Sequence, residues 1–299
     1  MYQKTEAICL HLIDFSETSQ IARLFTREHG VVGVIAKGIK RGRQTSANPL
    51  GGPLDMLARG QAVFVAGREG AELATLSGWE VSDHWPMLRE HLRGYYAGTM
   101  VAEVTMGLLA PHDPHPGLYD DLVAALEMLS DSASPGSARV VAAYIKAALE
   151  ETGYWPVLER CVLCGAEIKS KVVRFVPRAG GIICGHCRAV GTVMVLPSLV
   201  VVALARLPRP RAMKEVLSPR SADPQALFQA LQLLLSQVEC TLDRGMRTRA
   251  LLGEIAGWRQ VARAGEEADG GAERRGPQTV TSVGAGAEMP SNGCMEKPA

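Results

Sequence analysis

Four cysteines in two close pairs, Cys161-Val162-Leu163-Cys164 and Cys184-Gly185-His186-Cys187, restrict what this chain can fold into more than any other feature. Their spacing suits tetrahedral thiolate coordination of one zinc ion. Each Cys-x-x-Cys sets two sulfurs on one tight turn, and the 19 residues from Gly165 to Ile183 suffice for a hairpin that returns the second turn to the first. Four protein ligands leave no open position for water or substrate. The metal would therefore stabilise its module, by roughly 10–16 kcal/mol in small zinc peptides at neutral pH, and would not activate a nucleophile.

Cys-Gly-His-Cys also resembles a disulfide-exchanging site where it opens a helix after a strand. Such a site needs only one pair, whereas a second pair stands here at ribbon-like distance and Gly180-Gly181 suits a knuckle turn. A structural disulfide fits less well. Met1-Tyr2-Gln3-Lys4 leads into a mixed segment that does not read as a signal peptide, so a reducing, cytoplasmic compartment is expected. Cys9 in a strand-like run, Cys240 in a helical run and Cys294 in a tail need no special role.

The 299 residues give room for two or three domains with real cores. A formal net charge of only +1 means that attraction to nucleic acid must come from local clustering of cations. No apolar stretch reaches the roughly 18 residues of a membrane span. The longest candidate, Val193 to Leu207, is broken by Pro197 and Ser198.

An α+β organisation is expected. Short runs rich in Val, Ile, Leu and Phe predict five strands, Glu6 to Phe15, Ser19 to Thr26, Val31 to Ala36, Gln61 to Ala66 and Ala71 to Ser77. Turns at Glu28-His29-Gly30 and Arg68-Glu69-Gly70, and a longer connection around Asn48 to Pro53, separate them. Five strands with one long internal loop suit a small barrel over residues 1–80, such as an oligonucleotide-binding (OB) fold, although an SH3-like barrel gives a similar pattern. After Trp79 the period becomes helical. One long helix is predicted from His84 to Leu109, then helices from Leu118 to Leu129 and Ala138 to Glu151 after the stiff Pro111 to Pro116 loop. The zinc module, residues 161–187 with a strand at Val172 to Val176, interrupts this helical domain, which spans 81–262. Helices resume after Pro197, with an apolar face on Leu227, Leu231, Leu234, Leu235, Val238 and Leu242 and a last helix from Thr248 to Trp258. Residues 263–299, rich in Gly, Ala, Glu and Ser without an apolar period, are expected to be a disordered tail.

Between His29 and Leu54 the chain has no acidic residue, while Lys37, Lys40, Arg41 and Arg43 crowd around Gly38 and Gly42. Four cations beside flexible glycines are suited to neutralising phosphates and releasing their counterions. Arg23, Arg27 and Arg59 extend the patch if their strands present them on the same face. Charge alone does not separate this reading from a solvated loop that keeps the barrel soluble. Two further sets, Arg206, Arg209, Arg211 and Lys214, and Arg244, Arg247 and Arg249, read more safely as facing water. Aromatic residues are 5% of the chain, so binding dominated by base stacking is poorly supplied, and strong salt dependence is expected instead.

No catalytic constellation emerges. Gly38 is followed by Ile39 and Lys40, so the Gly-Lys-Ser/Thr ending of a phosphate loop is missing. His112 and His115 form a lone pair in a proline-rich turn, and no Ser-His-Asp set or carboxylate pair can be assembled from sequence. A binding protein is expected, with no enzymatic activity.

Several segments together resemble the RecO family of bacterial recombination mediators. They are Thr5-Glu6-Ala7-Ile8, the run from Val34 to Arg41, Pro116-Gly117-Leu118-Tyr119, Gly153 to Leu158 leading to Cys161 through Gly165, Phe175 to Cys187, and Thr241 to Leu252. The resemblance implies an N-terminal OB-fold, a helical domain with the zinc module, binding of single- and double-stranded DNA, and annealing of complementary strands. It also implies partnership with RecR and recognition of the acidic tail of single-stranded-DNA-binding protein, so that RecA is loaded onto coated DNA. Lys37, Lys40, Arg41 and Arg43, backed by Arg23 and Arg59, are the expected DNA contacts. A zinc-ribbon module for protein partners, with incidental DNA contact, is the alternative.

Overall fold

The computed structural model describes residues 2–41, 50, 52–65, 67, 72–131, 136–213 and 224–256, with 41 and 224 by backbone alone. Strands β1 (Tyr2–Asp14), β2 (Gln20–Thr26), β3 (Gly30–Ala36), β4 (Arg59–Val65) and β5 (Ala74–Asp83) close into a barrel in the order β1-β2-β3-β5-β4. β3 and β5 meet in parallel at Val34–Ala74 and Ile35–Thr75, and the remaining seams are antiparallel. This closure is an OB-fold, which sets the SH3-like alternative aside.

Period-2 alternation fills the barrel, because successive side chains of a strand point to opposite faces. β4 alternates without a break, and Ala7, Cys9, Ala22, Leu24, Val32, Val34, Phe64 and Leu76 form the interior. Burial pushes the Cys9 thiol up to about 12, so it is an inert core group. β5 runs six residues past the expected Ser77. Its outer face there is polar, which hides it from a hydrophobic pattern, and pairing along the whole of β4 holds it in place.

The predicted long helix is two. α1 (Pro86–Glu90) and α2 (Leu92–Leu108) are separated by His91, whose backbone is extended. The break lets α1 lie against the barrel connection: Trp85 Nε1 donates to the Leu57 carbonyl at 3.0 Å and Arg89 Nη2 to that of Met56 at 2.9 Å. An apolar period continues through such a break, so periodicity alone did not reveal it.

α2, α3 (Pro116–Ser130), α4 (Ser137–Glu151) and a later helix, α7 (Pro224–Leu242), build the helical core around fully buried Leu122, Tyr144, Leu231 and Val238. Strands β6 (Val172–Val176), β7 (Gly181–Ile183) and β8 (Met194–Pro197) form a small sheet in the order β7-β6-β8. α5 (Ser198–Ala205) and α6 (Pro210–Met213) lead back to the core. The expected final helix begins as a 3-10 turn, Arg247–Leu251, followed by α8 (Leu252–Ala256). Trp258 and the expected tail lie outside the described residues, among which no helix is long and apolar enough to cross a membrane.

The barrel docks on the helical body through one apolar cluster that unites Ile8, Leu10, Phe25, Val31 and Leu57 with α2 and α3. Phe25 meets Tyr119 edge to face at 5.6 Å, and Arg27 forks onto Asp120 with both contacts at 3.1 Å. Gly30, at φ +65°, permits the closest approach: a Cβ there would lie 2.2 Å from the Asp113 carbonyl oxygen.

Candidate metal centre and nucleic-acid surface

The two knuckles meet because the segment before the first pairs with the hairpin before the second. Val157 N donates to Gly180 O, Ile182 N to Val157 O, and Val162 N to Ile182 O, all between 2.8 and 3.0 Å. Gly181 is needed for this approach, since a Cβ would sit 2.4 Å from the Val157 carbonyl oxygen. Within the first knuckle Gly165 N closes the turn onto Cys161 O at 2.8 Å, with Gly165 in the left-handed region at φ +74°.

The four sulfurs of Cys161, Cys164, Cys184 and Cys187 lie within 4.8 Å of one another. Cys164 and Cys184 are 3.8 Å apart. A tetrahedron with metal–sulfur bonds of about 2.3 Å has edges of about 3.8 Å, so the cluster fits a four-thiolate metal ion. Arg174, on β6, supports the return knuckle by donating Nη1 to the carbonyls of Cys184 and Cys187, each at 3.3 Å. Its cation also offsets the negative charge of a four-thiolate site. Burial raises the Cys161 pKa, but backbone N–H groups of Cys184, Cys164 and Leu163 outweigh it and bring the thiol down to about 6. Cys187 is pushed up to about 12, first by Cys164 and then by Cys184. Thiols this close compete to ionise unless a cation compensates their charge.

Arg174 was not legible as a supporting residue, because its role depends on the β6–β7 register that sets it opposite Ile183. His115 does find carboxylates, Asp113 at 3.2 Å and Glu151 at 3.8 Å. Among the described residues, however, the four cysteines alone make a cluster suited to a metal.

The predicted DNA residues divide by their ion partners. Lys37 is exposed beyond the end of β3, and Arg23 is exposed on the outer face of β2. Neither is ion-paired among the described residues. Ile39 plugs the barrel core and directs the following turn back, so that Lys40 Nζ lies 2.8 Å from Asp14 Oδ1. Lys40, followed by Gln20, holds the Asp14 carboxyl below its ordinary range. Arg59 Nη2 donates to both Glu6 oxygens at 3.1 and 3.0 Å. The Arg41 side chain and Arg43 lie outside the described residues.

Two sets read as water-facing are partly spent on the body. Arg209 and Arg211 clamp the fully buried Asp121 at 2.9 and 3.0 Å, and Arg209 also reaches Glu151. Arg249 lies 2.6 Å from Glu239. Glu103, on α2, accepts from the backbone N–H of Arg247 and of Thr248 at 2.9 Å, and from the Thr248 hydroxyl at 2.7 Å. A separate apolar groove of about 370 Å³ lies between α4, α5 and α7, walled by Val200, Leu204 and Leu227 with Arg139 and Arg206 beside it.

Comparison with known proteins agrees with this architecture. Residues 1–85 match the family described as Recombination protein O N terminal, and residues 89–250 match Recombination protein O C terminal. The DNA repair protein RecO of Anaeromyxobacter dehalogenans (strain 2CP-C) is 32% identical, over 84% of this chain and 96% of the relative. That of Moorella thermoacetica is 29% identical over 85% and 91%, and that of Geobacter sulfurreducens 32% identical over 63% and 74%. With both halves matched and a relative 32% identical aligned over 96% of its length, the chain belongs to the RecO family of DNA repair proteins.

Proposed function

We propose that this protein binds single- and double-stranded DNA, anneals complementary strands, and with RecR helps load RecA onto DNA coated by single-stranded-DNA-binding protein. It does so in the cytoplasm and without a catalytic step of its own. The observation that carries the reading is an OB barrel whose outer β2–β3 face presents Lys37 and Arg23, neither of them ion-paired among the described residues. That face is where this fold takes oligonucleotides. Cations along it neutralise phosphates, so two backbones can approach while their bases stay free to pair. Lys40, Arg41 and Arg43 follow Lys37 in sequence and, with Arg59 on β4, complete the proposed set of contacts.

Zinc is the metal proposed for the four cysteines, since an all-thiolate tetrahedron suits it and no position is left open. It would lock the hairpin that joins α4 to α5. The acidic tail of single-stranded-DNA-binding protein is assigned to the groove between α4, α5 and α7. Its apolar walls suit apolar side chains of the peptide, and Arg139 and Arg206 suit its carboxylates.

Strand annealing and DNA binding measured across a salt series test this reading. If Lys37→Ala combined with Arg41→Ala leaves both affinity and salt slope unchanged, the barrel loop is not the site. Stable protein partners without DNA affinity at low salt would instead favour the zinc module as an interaction device.

A further inference from the structure

A cleft of about 650 Å³ opens between the barrel and the helical body, on the side where Arg23 emerges from β2. Its walls come from both parts: Arg23 and His11 from the barrel, Arg244 and Arg247 from the body. Three guanidinium groups face one carboxylate, Glu103, so arginines outnumber carboxylates in the lining by two. Glu103 does not neutralise the set. Its oxygens are taken by the backbone N–H groups of Arg247 and Thr248 and by the Thr248 hydroxyl, with Arg244 at 3.8 Å. Among the described residues the side chains of Arg23 and Arg247 have no carboxylate partner. Met56, Met106 and Leu109 supply an apolar floor between these cations.

The cleft continues the outer face of the barrel. Arg23 is paired with Gly33, and Lys37 comes four residues after Gly33, just past the end of β3 and about 13 Å away at an ordinary strand rise. Phe25, one step below Arg23 on the same face, is already packed on Tyr119 of the body. A polyanion lying on β2–β3 from Lys37 to Arg23 is thus led into the gap between the two parts.

From this geometry we infer that the cleft is a subsite for one nucleotide of single-stranded DNA, with its phosphate between Arg23 and Arg247 and its sugar and base on the methionine floor. The inference rests on the DNA-binding reading above and goes beyond it: the helical body grips the strand alongside the barrel. A single strand is favoured over a duplex because a splayed nucleotide has an apolar face to lay on Met56 and Met106, whereas a duplex offers a continuous charged surface. Charges repeated along a chain also match cations spread from Lys37 to Arg247.

The test is anisotropy of a labelled oligothymidylate with the full chain over a salt series. Arg23→Ala and Arg247→Ala should each lower the slope of log affinity against log salt by about 0.7, the value for one lost phosphate contact on a single strand. Since Glu103 holds the backbone of Arg247 and not its side chain, the variant should keep the wild-type melting temperature. Arg247→Gln, which retains most of the stem, covers the case in which the alanine variant unfolds. If Lys37→Ala lowers the slope while the Arg23 and Arg247 variants do not, the cleft fails and the barrel reading stands. If the wild type ignores the oligonucleotide at low salt, the DNA reading itself fails and takes the cleft with it. A glutamate-rich peptide whose binding is lost in Arg247→Ala, with oligothymidylate binding unchanged, would make this a peptide site and overturn the inference.

Discussion

Replacing Gly30 by alanine tests the seam on which the cleft depends. Gly30 sits at φ +65°, which costs an alanine about 1–2 kcal/mol. The new Cβ would lie 2.2 Å from the Asp113 carbonyl oxygen and 2.7 Å from the Asp113 nitrogen, both backbone atoms that no rotamer change can move. The 110–113 turn must therefore retreat from β3. Overpacking of this kind costs about 1–3 kcal/mol. The retreat also endangers the bond from His112 N to Val31 O, now 3.1 Å, worth about 1 kcal/mol. Together these give about 3–6 kcal/mol. Gly153 supplies the control, since it sits at φ +78° with nothing within 4 Å of its would-be Cβ. Gly153→Ala should cost only the conformational share, about 1–2 kcal/mol. Urea unfolding of both variants, compared at constant m value, isolates the steric part as the difference, about 2–4 kcal/mol. Equal destabilisation of the two would refute the close-approach argument, and with it the firm seating of barrel on body.

Native mass spectrometry should find one zinc per chain, and Cys161→Ser should lose it together with stability of the helical body; a metal-free wild type of unchanged stability contradicts this. Burial raises the Glu103 carboxyl, but hydrogen bonds from Thr248 and the Arg247 backbone, aided by Arg244, hold it below its ordinary 4.5. Its stabilising contribution is thus full above pH 4.5 and lost as pH falls through the lowered value, so Glu103→Gln should cost about 2 kcal/mol at pH 7 and progressively less below pH 4.5 in urea titrations. Lys146, 8% exposed, donates Nζ to the carbonyls of Ala205 and Leu207 at 2.8 Å. Lys146→Met should therefore destabilise by about 2–3 kcal/mol and loosen the end of α5, seen as faster amide exchange after Val201; unchanged exchange would show that the lysine does not hold that turn.

Features encoded within a few residues were legible without coordinates. The cysteine spacing expresses the geometry of a tight turn, and the short runs rich in Val, Ile, Leu and Phe at β2, β3 and β4 express strands packed into a closed barrel, so both survived contact with the structure. The helices of the body were readable in the same way, apart from the break at His91 and the 3-10 start of the last helix. The fate of the charges was not legible in this way. Lys40 and Arg59 looked equivalent to Lys37 and Arg23 along the chain, yet Asp14 and Glu6 pair with the first two. Arg209 and Arg211 looked solvated until α3 brought the buried Asp121 beneath them. Coulombic pairing acts through space over a few ångströms and is indifferent to chain separation, so only the packed structure selects which cations remain for a polyanion. It also creates the cleft, whose walls come from parts of the chain that local sequence patterns cannot join.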